Sequence, residues 1–170
     1  MHIIGFFGKH DEVHMANQAE SFTPVQIANL LPTQKEICAL MVRLGCKEDE
    51  VYPDLLRAIR RIMAGIATSP TNHQLWRDLA LAFGIQPEMK WKYLYIAHKL
   101  CPSDLVVLGE IAWICDMLGD YQQAEKIQCQ RVALAGTPEE RAKVLEDISC
   151  MEFNELAQRA SVQLESFMHH

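Results

Sequence analysis

The sequence predicts an all-α fold: a short solenoid of antiparallel helical hairpins followed by a long C-terminal helix. Helix-start signals recur along the chain, and apolar residues return at helical spacing with no sustained alternation of the kind a strand needs. Pro70, Pro102 and Pro138 each follow a small residue by five positions, namely Gly65, Ala97 and Ala133, at intervals of 32 and 36. A period in that range is the mark of stacked helical hairpins.

The element starts are legible because Ser, Thr, Asp and Asn satisfy free backbone N–H groups at a helix N-terminus, and proline fits the first helical position. Thr23-Pro24 opens VQIANLL, and Thr33 with Glu36 forms a capping box before ICALMVRL, which Gly45 closes. After the charged loop KEDE, Pro53 opens DLLRAIRRIMAG. There Leu55, Leu56, Ile59, Ile62 and Met63 share one face, and Arg57, Arg60 and Arg61 lie on another. Asn72 starts HQLWRDLALAF, Pro87 starts EMKWKYLYIAHKL, and Asp104 starts LVVLGEIAWICDML, ended by Gly119. Asp120 then starts a further helix. Thr137-Pro138 with Glu140 begins a run without a breaker that extends to the C-terminus. The reading is one all-α domain over residues 1–170, with a variable segment 1–22, hairpins over 23–136 and a capping helix over 137–170.

The stretch from Asn72 to Gly136 resembles two tetratricopeptide repeats. Trp76 and Leu79 stand in a first helix with Phe83 one turn on, and Ala97 and Pro102 end the second. The next unit has Ile111-Ala112 where the family favours Leu-Gly, then Gly119-Asp120-Tyr121 and Ala124, which match the family's inter-helix turn. A more degenerate unit spans Thr33 to Pro70, with Ala58 and Gly65 at the small positions. The first clear unit lacks the family's glycine before its second helix, where Pro87 takes over the turn, and Arg131 occupies a site where the family prefers alanine. The small Ala124 is expected to let helices approach closely, with Trp76 and Tyr121 filling gaps between hairpins.

The formal charge of -6 argues against a general nucleic-acid surface, which needs a dense basic face. KWKYLYIAHKL interleaves Lys90, Lys92 and Lys99 with Trp91, Tyr93 and Tyr95, a pattern that single strands can stack on, yet aromatic residues at helical spacing are more often packing. No apolar run approaches a membrane span, and the run around Ile3 to Phe7 is too short for a signal peptide and has no basic lead. The expected compartment is the cytoplasm. The six cysteines, at 38, 46, 101, 115, 129 and 150, show no short ligand spacing and read as buried thiols.

HDEVH places His10 and His14 four apart, a spacing that grips zinc on a helix, but Asp11 stands where the general-base glutamate belongs. GFFGKH has two residues between its glycines where a phosphate loop has four, and His10 where the hydroxyl should be. No cysteine–histidine pair forms a dyad. The reading is therefore no enzyme, no catalytic residue, no metal and no cofactor, with a metal-binding or enzymatic role through His10 and His14 ranked third.

The resemblance implies that the first helix of each hairpin lines a concave ligand surface. Matching the repeats places Gln74, Arg77 and Leu81 there from one unit and Val106, Gly109, Trp113 and Met117 from the next. The lysine and asparagine clamp with which some family members hold acidic chaperone tails is absent at these positions. A mainly apolar lining suits an apolar segment of a client or assembly partner. In size and acidity the chain is similar to small bacterial cytosolic secretion chaperones of tetratricopeptide type. The alternatives are a structural subunit fixed in a larger complex, and a surface covered by the C-terminal helix or, in a homodimer, by a second copy of the chain.

Overall fold

The computed structural model describes residues 23–45 and 53–149, and every regular element among them is an α-helix. The order is α1 (Pro24–Leu30), α2 (Gln34–Arg43), α3 (Pro53–Thr68), α4 (His73–Ala82), α5 (Pro87–Leu100), α6 (Leu105–Met117), α7 (Tyr121–Leu134) and α8 over 138–149. His10, His14, the phosphate-loop-like stretch, the KEDE loop, Cys46, Cys150 and the end of the C-terminal run lie outside the described residues.

Several expected starts are met by their capping chemistry. The Thr33 hydroxyl accepts the Glu36 amide while the Glu36 carboxylate accepts the Thr33 N–H at 2.7 Å, and Thr23 with Gln26 repeats the arrangement on α1. Burial works upward on the Glu36 carboxyl, but the bonds from Thr33 and the charge of Lys92 outweigh it and hold the group below its ordinary value. Asp104 Oδ1 accepts the amides of Val106 and Val107 at 2.9 and 3.2 Å, closing the N-terminus of α6. Gln86 offers no side-chain cap to α5, where Pro87 has already removed one orphan N–H. Gly45 and Gly119 both take φ of +77°, a left-handed stop that costs a residue with a Cβ.

The described residues fall into two compact units, one running to Val107 and the other starting at Leu108. In the first, α4 and α5 pack most extensively, and their short connection makes them an antiparallel hairpin. α3 packs on α4, and α1 on α3. The core of the hairpin is aromatic: the Trp76 and Tyr93 rings lie 6.2 Å apart, Phe83 and Tyr93 5.8 Å apart, and all three are fully buried. Trp76 Nε1 donates to the Pro70 carbonyl at 2.7 Å, which ties the loop before α4 to its first turn. Leu79, Leu94 and Ala97 complete this layer. Gly65 admits Leu75 closely, since a Cβ there would stand 3.1 Å from Leu75 Cδ1.

In the second unit, Ile111, Ala112, Ile114 and Cys115 from α6, Ala124 and Ile127 from α7, and Val144 from α8 are buried. Gly109 on α6 faces Arg131 on α7, at similar distances on either side of the turn at Gly119, so these helices also run antiparallel. The expectation that the cysteines are buried thiols needs correction. Cys38 and Cys129 lie off the buried faces of their helices and are exposed, and Cys101, just past the end of α5, is half-buried, so only Cys115 among the described thiols is a core residue. Lys90 is buried and Lys92 half-buried with its ammonium 5.3 Å from the Tyr93 ring centroid, so this helix presents no continuous lysine stripe.

Candidate partner-binding surfaces

In the first unit the candidate residues lie on α4 and at the start of α6. Gln74 and Leu81 are exposed, as is Val106. Arg77 is committed elsewhere: its Nη1 donates to Asp104 Oδ2 at 3.2 Å, and its Nε lies 3.4 Å from Asp78 Oδ1. His73 Nε2 reaches the same Asp104 oxygen at 3.2 Å. The Asp104 side chain is only 7% exposed, so one carboxylate caps α6 with Oδ1 and gathers Arg77 and His73 from α4 with Oδ2. This cluster fixes α4 against the entry to α6 and leaves Arg77 little freedom to meet a ligand.

In the second unit the three candidates part company. A Cβ on Gly109 would stand 2.8 Å from Arg131 Cζ and 2.9 Å from its Nη2, which places this position under a guanidinium. Trp113 and Met117 are 37% and 54% exposed, four residues apart on α6, and Leu118 beside them is exposed as well. An indole and a thioether thus present adjacent surfaces at the end of one helix.

Like Asp116 on α6, Arg131 is a buried charge of this unit. Its Nη1 donates to Gln128 Oε1 at 2.8 Å and its Nη2 to Asp147 Oδ2 at 2.7 Å, joining α7 to α8. The arginine side chain is 5% exposed and its aspartate partner 43%, so the carboxylate keeps part of its hydration while the guanidinium is desolvated. Asp147 carries no spacing signal relative to Arg131, and the pair was not visible in the sequence.

Protein-family models, curated proteins and solved structures were compared with the chain, and none matches it. The functional reading therefore rests on the residues themselves.

The titratable groups buried in the cores suit packing more than chemistry. Burial, with a smaller contribution from Asp120, pushes the Cys115 thiol up to about 11, which keeps it protonated at neutral pH. Burial also raises Tyr93, and it lowers His98 with help from the neighbouring Lys99. Among the described residues no helix is long and apolar enough to cross a membrane.

Proposed function

We propose that the chain is a non-enzymatic interaction module, built on tetratricopeptide-like hairpins, that holds an apolar segment of a client or assembly partner. The observation that carries this reading is the exposed pair Trp113 and Met117 at the end of α6, extended by Leu118. A large aromatic ring supplies contact area at low entropic cost, and a methionine beside it adapts to the shape of what it meets.

The test is titration of the purified chain with fluorescent peptides: an apolar amphipathic helix, an apolar extended segment, and a polar scramble of each. The reading expects reversible binding of an apolar peptide that competes with its unlabelled copy, and little binding of the scrambles. Binding of none of them would remove it.

A fixed structural subunit is the second reading, favoured by Leu134 and Leu145, which are also exposed in the same unit. A permanent interface buries more apolar surface than a single helix end presents. That reading expects aggregation or self-association of the isolated chain and no exchangeable peptide.

A further inference from the structure

Helix α3 turns one side to the interior through Ile59 and Ile66, both fully buried, and the opposite side to solvent. Arg57, Arg60 and Arg61 stand together on that outer side, all exposed, with the exposed Ala64 one turn further on and between them in projection. At i, i+3 and i+4 the three guanidiniums are neighbours and repel one another, a cost an isolated surface helix avoids by interleaving acids. Among the described residues only Arg57 has a carboxylate nearby, Asp54 Oδ1 at 3.5 Å, in a solvent-exposed pair. Arg60 and Arg61 pair with no carboxylate among the described residues.

We infer that this arginine face of α3 docks an acidic helical segment of a protein partner. Charge complementarity selects the sign, since three adjacent cations stand exposed on a chain whose net charge is -6. The residue type selects carboxylates: the guanidinium fork accepts a carboxylate in two parallel bonds, which lysine cannot do. The shape selects a helix, because Ala64 leaves the centre of the face, and Ala67 its edge, low enough for a second backbone to approach, with glutamates at i, i+3 and i+4 meeting the three arginines. A nucleic acid would meet the same cations, but its charge continues along its whole length past three arginines onto the acidic remainder, whereas a short acidic segment ends with the face. A membrane would find no apolar side chain beside them to insert, since the neighbours on this side are Ala64, Ala67 and Thr68.

The experiment titrates the full chain with an alanine-based helical peptide carrying Glu at i, i+3 and i+4, and with the same peptide carrying Gln. A single-stranded oligonucleotide and vesicles of phosphatidylserine in phosphatidylcholine complete the set. The expected result is binding of the Glu peptide that weakens with salt, about tenfold loss in the double variant Arg60→Glu/Arg61→Glu, and a smaller loss in Arg60→Lys/Arg61→Lys. Thermal melts of both variants should match the parent, because the side chains are exposed. Equal binding of the Glu and Gln peptides, no binding of either, or indifference to Arg60→Glu/Arg61→Glu would overturn the inference. So would tighter binding of the oligonucleotide or of the vesicles. If the Glu peptide binds only after Glu48, Asp49 and Glu50 are changed to their amides, the face belongs to the chain's own acids, and the inference also falls.

Discussion

A methyl group on Gly109 would stand 2.8 Å from Cζ of Arg131, so the backbone of α6 is the floor on which that guanidinium lies. Arg131 sits where the resemblance to tetratricopeptide repeats prefers alanine, and the bulk this adds on α7 is taken up by the absence of a side chain on α6. The arginine cannot move aside cheaply, because Gln128 and Asp147 hold its two terminal nitrogens.

Gly109→Ala should therefore forfeit the ~1 kcal/mol that replacing a mid-helix glycine by alanine ordinarily gains, and should lower stability instead. Arg131→Ala should cost about 2–3 kcal/mol by stripping a charged donor from two acceptors. In the Arg131→Ala background, Gly109→Ala should become stabilising. Denaturant unfolding of the four proteins of this cycle measures the coupling, and additive effects would show that the two residues do not touch.

Asp104 performs two tasks with separate oxygens, and substitutions separate them. Asp104→Asn keeps an oxygen for the Val106 and Val107 amides but loses the ionic attraction of Arg77, and should cost about 1 kcal/mol. Asp104→Ala loses the cap as well and should cost about 2–3 kcal/mol. Equal losses in chemical denaturation would mean that the cap contributes nothing.

Ala124 is buried in α7, and Ala124→Leu should destabilise by about 1–3 kcal/mol through overpacking, whereas Ala124→Gly should cost nearer 1 kcal/mol through helix propensity. Equal melting temperatures for the parent and Ala124→Leu would contradict close packing at this position.

How much of this was legible depends on the range of the interaction. Caps and stops act within four residues, so Thr33 with Glu36, Asp104, Gly45 and Gly119 announce the elements in the sequence itself. Trp76 and Phe83, both buried, were singled out by the repeat resemblance, which did not name Tyr93 as the ring between them. Pairings between helices carry no such signal: nothing local says that Arg77 and His73 meet Asp104, or that Arg131 meets Asp147 over Gly109. The placement of Arg77 and Gly109 on a ligand surface came from repeat matching, which assigns a face but not the partner already occupying it.

Cys115 offers a check on the core by chemistry. Its folded pKa is raised to about 11 by burial and then by Asp120, so the protonated thiol is the form the fold favours. The stabilisation is fully present below the unfolded thiol's value of about 8.5 and is lost as pH rises from there through the folded value. Alkylation followed by site-resolved mass spectrometry at pH 8 should label Cys38 and Cys129 rapidly and Cys115 only on unfolding. Labelling of Cys115 at the rate of Cys38 would show that the α6 core is open.

The most direct test of the central claim is a paired measurement on Trp113→Ala and Met117→Lys: thermal unfolding of the free protein, and affinity for the apolar peptide that the parent binds best. Met117 is 54% and Trp113 37% exposed, so the account predicts a melting temperature close to the parent's for Met117→Lys and only a modest fall for Trp113→Ala. Affinity should fall by about 2 kcal/mol or more, roughly thirtyfold, as an anchor is lost or a charge is stranded against an apolar ligand. A fall of about 3–5 kcal/mol in folding stability, with affinity unchanged per folded molecule, would make Trp113 and Met117 core residues and would contradict the account.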